Sequence, residues 1–142
     1  MKTVKQIDLS MKNEPGALSE VSDLLGANGI NIIAFYVFTQ KEMGKLHFVA
    51  NDPERAINVL KTAGYSVETK DVIACETPNH PGGMNAVLKP LRVANMSVDT
   101  IYPCIGTGDI TVLILGVSPI EKALKILDDN WISTLGEELY HI

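Results

Sequence analysis

The chain has 142 residues, room for one ordinary domain or two very small ones, and 46% are hydrophobic against 20% charged, a balance that excludes an intrinsically disordered chain. With 12 Lys and Arg against 17 Asp and Glu the net charge is −5, so no basic stripe can neutralise a run of phosphates, and neither nucleic acid nor an anionic membrane is expected as a partner. The longest nearly unbroken apolar stretch, Ile110 to Val117, has eight residues where a membrane-crossing helix needs roughly 20; the N-terminus lacks the apolar core of a secretory signal, and the expectation is a cytoplasmic protein.

Ile7, Leu9 and Met11 alternate with Gln6, Asp8 and Ser10, the period of a strand with one covered face, over roughly 4–11. After the polar loop Asn13-Glu14-Pro15-Gly16, the residues Leu18, Val21, Leu24 and Leu25 take helical spacing. This predicts a helix over about 16–27, with Pro15 where the first turn has no use for an amide proton and Asn28-Gly29 closing it. Ile30 to Thr39 is rich in β-branched and aromatic residues, Gln40 to Gly44 turns the chain, and Lys45 to Ala50 returns as a second strand of a hairpin. Asp52-Pro53 opens a second helix with Ala56, Ile57, Leu60 and Ala63 on one side; Gly64 ends it before a strand from Tyr65. The order is βαββαβ.

The same punctuation recurs 66 positions later: Asn13-Glu14-Pro15-Gly16 against Asn79-His80-Pro81-Gly82, and Asp52-Pro53 against Ser118-Pro119. The second copy predicts a strand Asp71 to Glu76, a helix about 83–93, strands Ser97 to Ile105 and Ile110 to Val117, a helix about 119–129 and a strand Ile132 to Tyr140. Pro90 is discordant and is expected to kink or end its helix. The pattern is an α+β fold of two tandem ferredoxin-like βαββαβ units, each with an antiparallel four-stranded sheet, over residues 1–69 and 70–142.

Nucleophilic catalysis needs a Ser or Cys within reach of an activating base, and the chain has only His47, His80 and His141. His47 alternates with Leu46 and Phe48 and reads as a sheet-face side chain. His141 is penultimate and reads as exposed. His80, in the repeated loop, is either a ligand contact or a solvated turn residue. No carboxylate pair, Walker loop or His-Glu-x-x-His segment is present, so no catalytic residue, metal or cofactor is expected and the chain reads as non-enzymatic. Gly106-Thr107-Gly108-Asp109 joins two strands and reads as a hairpin turn, not a phosphate cradle. Cys75 and Cys104, 29 positions apart without a Cys-x-x-Cys, read as small buried residues.

What stands out is a polar loop leading from a strand into a helix, present twice. A helix start exposes backbone N–H groups and a partial positive charge, which suit a carboxylate. If Asn13 rises from that loop and Asn31 from the start of the second strand, their amides could hold an α-ammonium and an α-carboxylate together. Local rules equally allow Asn13 as a turn cap and Asn31 as the end of a Gly-Ile-Asn bend.

The run Asn13-Glu14-Pro15-Gly16-Ala17-Leu18, then Leu25 and Asn28-Gly29-Ile30-Asn31-Ile32, closely resembles the opening motif of ACT domains, small amino-acid-binding regulatory modules of metabolic enzymes. It is similar to the motif in phosphoglycerate dehydrogenase and in the acetolactate synthase regulatory subunit. The resemblance implies that Asn13 and Asn31 contact a free amino acid, that Pro15, Gly16, Ala17 and Leu18 form the helix-start wall, and that units align through the second strand and first helix. Ile30 and Ile32 would then face the other copy's site, and Met96 and Val98 the first. The second site would comprise Asn79, His80, Gly82, Gly83 and Met84, with Ser97 where the first copy has asparagine. It implies a sensor that signals allosterically to a metabolic enzyme and forms a homodimer or larger homo-oligomer, or alternatively a regulatory subunit of an amino-acid biosynthetic enzyme such as acetolactate synthase. Two other ferredoxin-like classes fit poorly. An RNA-binding domain, faintly suggested by Gly44 to Val49, calls for exposed aromatics and basic charge, whereas aromatics make up 6% here; an acylphosphatase needs a basic phosphate cradle, which the first loop lacks.

Overall fold

The computed structural model describes residues 2–142, which form two compact units. The first, Lys5–Lys70, contains β1 (Val4–Lys12, from Lys5 on), α1 (Ala17–Ala27), β2 (Ile32–Gln40), β3 (Met43–Ala50), α2 (Pro53–Thr62) and the opening residues of β4 (Ser66–Thr77). β3 pairs antiparallel with β1 on one side and β2 on the other, Ile7 opposite Phe48, Leu9 opposite Leu46, and Tyr36 opposite His47. Alternation on β1 and β3 sends Ile7, Leu9, Leu46 and Phe48 to one face. There they form a single core with Val21 and Leu25 of α1 and Ala56 and Leu60 of α2. Each of those large side chains contributes about 1.5–3 kcal/mol by leaving water. Helix α2 starts as its sequence requires: Pro53 opens it and the Asp52 carboxylate accepts from the Arg55 N–H at 3.3 Å.

The second unit comprises residues 2–4 with Asp71–Ile142. It holds the rest of β4, then α3 (Asn85–Val93), β5 (Val98–Pro103), β6 (Thr111–Val117), α4 (Ile120–Asp129), β7 (Thr134–Leu135) and a 3₁₀ turn over Glu137–His141. β6 lies between β4 and β5, and β7 pairs with the other edge of β4, all antiparallel. Its core repeats the first: Ile73, Cys75, Leu113 and Leu115 against Val87, Leu91, Ala123 and Leu127. The fold is α+β, two ferredoxin-like units.

Three local expectations are corrected. The strand expected over Ile132 to Tyr140 is two residues long and gives way at Gly136 to the 3₁₀ turn, which buries Leu139; Ile132, Leu135 and Leu139 lie three and four residues apart, so no period of two carries the strand further. Pro90 does not end its helix: it sits inside α3, which runs on to Val93. The bond a proline forfeits is the one to the carbonyl four residues back, here Ala86, which is exposed in the first turn and open to water. Finally, the repeat is offset by 66 only as far as the hairpin. Ile73 opposite Leu115 is the counterpart of Ile7 opposite Phe48, so one residue is inserted in the second hairpin and the offset becomes 67. Pro119 thus corresponds to Asp52, not to Pro53, and α4 starts without a side-chain cap.

Candidate functional site

In the first unit the strand-to-helix loop is tied to the tip of the β2–β3 hairpin. The Asn13 backbone N–H donates to the Glu42 carbonyl at 2.8 Å, and the Asn13 side-chain amide donates to the Lys41 carbonyl at 3.0 Å. Pro15 lies outside the helix, and Gly16 caps it in a left-handed conformation (φ 88°) with no side-chain hydrogen bond to the helix start. A Cβ built on Gly16 would meet nothing within 4 Å, so the mouth of α1 is open. Ala17 is half-buried, and Leu18 is exposed on the first turn.

Asn31 lies at the other end of the sheet. Its N–H donates to the Asn51 side chain at 2.9 Å and its carbonyl accepts from the Asn51 N–H at 3.0 Å. Asn51 follows the last residue of β3, whereas Lys41 and Glu42 precede the first; the span of that strand separates the two asparagines by about 30 Å, at roughly 3.3 Å per residue. One unit cannot bring Asn13 and Asn31 onto one amino acid. Ile30 is 5% exposed and belongs, with half-buried Ile32, to the unit's own core.

The second loop is built differently. Thr77 is buried, and its hydroxyl donates to the Gly83 carbonyl at 3.0 Å. A Cβ on Gly83 would collide with the Pro78 carbonyl oxygen, so this glycine is a packing requirement. Gly82 repeats the left-handed geometry of Gly16 (φ 79°). Two turn residues follow, and α3 begins at Asn85 after an exposed Met84. Asn79 and His80 are exposed, the His80 ring nitrogen Nδ1 lying 2.9 Å from the Pro81 carbonyl. Met96 and Val98 pack against the second core, and Ser97 is exposed at the foot of β5.

Behind each loop lies a groove that the sequence did not reveal. In the first unit it has a volume of about 570 Å³ and is lined by Ser10, Lys12, Glu14, Glu20, Met43 and the turn Gly64-Tyr65-Ser66, among others. In the second it has a volume of about 420 Å³, and Glu76, Pro78, Ala86, Ile110 and the turn Trp131-Ile132-Ser133 occupy the equivalent lining positions, joined by Asp109. Both volumes suit a small molecule. The only usable signal was the repeat itself, once its offset is corrected to 67 beyond the hairpin.

A second unforeseen feature runs across β1, β3 and β2. The Asp8 carboxylate lies 2.6 Å from the His47 Nδ1, and the same oxygen accepts from Gln6 at 2.7 Å; the His47 ring stacks on Tyr36 with centroids 4.4 Å apart. Burial, then the negative charge of Asp8, pushes the Tyr36 hydroxyl pKa up. These residues oppose one another in register, so the ladder is cross-strand pairing. Burial also pushes the thiols of Cys75 and Cys104 up to about 12, which leaves them protonated and poor nucleophiles at neutral pH. Among the described residues no group of three or more His, Cys, Asp or Glu could hold a metal, and no helix is long and apolar enough to cross a membrane.

A family model described as an ACT domain pair matches residues 2–140. A crystal structure of a protein from Bacteroides thetaiotaomicron superposes with a TM-score of 0.91 at 25% identity, covering 99% of this chain and 97% of that one. The ligand-free regulatory subunit of aspartate kinase from Thermus thermophilus gives a TM-score of 0.64 at 14% identity over 92% and 93% of the chains. The corresponding subunit from Thermus flavus gives 0.61 at 14% over 92% and 94%. These two share the fold. No curated protein matches by sequence.

Proposed function

Because the chain belongs to the ACT domain pair family, a family of regulatory domains, we propose that it is a non-catalytic sensor that binds a free amino acid at the strand-to-helix loop and passes the signal to a metabolic enzyme. The observation that carries this reading is the mouth of α1: a left-handed Gly16 with open space beside it and no side-chain cap, so an α-carboxylate can take the place a capping side chain usually fills.

The separation of Asn13 from Asn31 adds a requirement. Both amides reach one ligand only if a second copy brings its own strand β2 alongside in the opposite direction. Leu18 on α1 with Phe35 and Val37 on β2 are exposed, and covering them supplies apolar burial for such a pairing. The amino acid then bridges two copies, its binding coupled to their association, and a partner enzyme reads the change; a coupling of about 1–3 kcal/mol is enough.

Titration calorimetry of the chain with each of the twenty amino acids tests this. At least one binds in the micromolar to millimolar range, Asn31→Ala weakens that ligand at least tenfold, and sedimentation velocity shows the ligand shifting the association state. If none binds at millimolar concentration, the sensor reading fails. Phe35→Asp, which opposes pairing along β2, should weaken the same ligand. Unaltered affinity in a monomeric F35D protein would mean that a single copy makes the site.

A further inference from the structure

We propose that the groove of the second unit is a separate binding site for an organic cation, an alkylammonium ion held between the Trp131 indole and the carboxylates of Glu76 and Asp109. Three observations converge on it. The groove occupies the same place as the one in the first unit, yet its charge differs. The first is lined by Lys12, Glu14 and Glu20 together, while the second has Glu76 where the first has Ser10, Pro78 where it has Lys12, and no lysine or arginine. Its lining is uniformly negative or neutral, with Ile110 and Ile132 as apolar walls.

Trp131 is the second observation. It closes α4 in the left-handed conformation (φ 62°), where its counterpart Gly64 closes α2 (φ 93°). Glycine is the residue such a position favours, because a side chain there crowds the backbone. Nor does packing account for the tryptophan, which is 94% exposed. A large aromatic side chain that the turn disfavours and the core does not use, standing on the lip of a cavity, is placed for a ligand's benefit. Thirdly, the ligand's chemistry follows from the lining. An indole face attracts a cation, more so for alkylated ammonium than for a strongly hydrated metal ion. Metal binding is disfavoured further, since no metal-holding cluster occurs among the described residues. Anions are repelled by both carboxylates.

Trp131 is the sole tryptophan of the chain, so its fluorescence reports this groove directly. The full chain is titrated with 1,4-diaminobutane at ionic strength held constant with sodium chloride. The expected result is a saturable change in emission in the millimolar range or below. Affinity should fall at least tenfold in E76Q/D109N, with circular dichroism unchanged. By calorimetry, Trp131→Gly should lose most of the affinity and Trp131→Phe should retain much of it. Absence of a saturable change, or an identical curve in E76Q/D109N, overturns the proposal. Full diamine affinity in Trp131→Gly overturns the part given to the indole. This site does not depend on amino-acid sensing: Asn31→Ala leaves diamine binding unaltered, so the two readings fail or hold separately.

Discussion

Gly83 and Trp131 behave oppositely as single residues. At Gly83 a methyl group would collide with the Pro78 carbonyl oxygen, which belongs to backbone and cannot swing aside. Gly83→Ala is expected to cost about 1–3 kcal/mol of unfolding free energy, read as a lower urea midpoint. At Trp131 the left-handed backbone carries a penalty of roughly 1–2 kcal/mol that glycine avoids, partly offset by the greater entropy glycine loses on folding. Trp131→Gly should therefore raise stability by roughly 0.5–1 kcal/mol. A loss of stability in that variant would mean that the indole packs on something, and the case for a ligand-facing tryptophan would weaken.

At the level of elements, the four helices end in one way. The N–H of the left-handed residue bonds the carbonyl three back and the next N–H bonds the carbonyl five back: Gly29 and Ile30 on α1, Gly64 and Tyr65 on α2, Asn95 and Met96 on α3, Trp131 and Ile132 on α4. Each satisfies carbonyls the helix end would leave bare. Asn28-Gly29 and Gly64 were legible as stops because glycine advertises the left-handed turn, whereas Asn95 and Trp131 do not. The helix starts differ more, since Asp52 caps α2 and no side chain caps α1, α3 or α4. Within α3, Pro90 forfeits one bond. Pro90→Ala should restore it and, after allowing for the freer unfolded chain, stabilise the protein by about 2 kcal/mol. Amide hydrogen exchange would show the new donor at position 90 protected. Rapid exchange there would mean that the helix is already broken at that point.

For the molecule as a whole, alkaline pH acts in part through the thiols of Cys75 and Cys104, both raised from an ordinary value near 9 to about 12, chiefly by burial. The fold favours the protonated thiol, so the stability this contributes is complete below about pH 9 and is lost as pH rises from there through about 12. The urea midpoint should fall over that window, and less steeply in a variant with both cysteines changed to alanine. Parallel curves for the two proteins would contradict the shift.

The element order, the repeat, the faces that form each core and the two polar loops were all readable from the chain, because periodicity and turn residues act between near neighbours. Leu46 and Phe48 had to face the helices, and Asp52-Pro53 had to open one. Tertiary structure decided what depends on pairing between distant segments. It set the register that faces Asp8 with His47 and Tyr36, and it divided Asn13 and Asn31 between opposite ends of a sheet. It also divided Ile132 to Tyr140 between a short strand and a 3₁₀ turn, and it formed two equivalent grooves from residues far apart in the chain. A local pattern fixes which side of an element is apolar; which end of a strand meets which loop is fixed only when hydrogen-bonded partners from elsewhere in the chain lock its position.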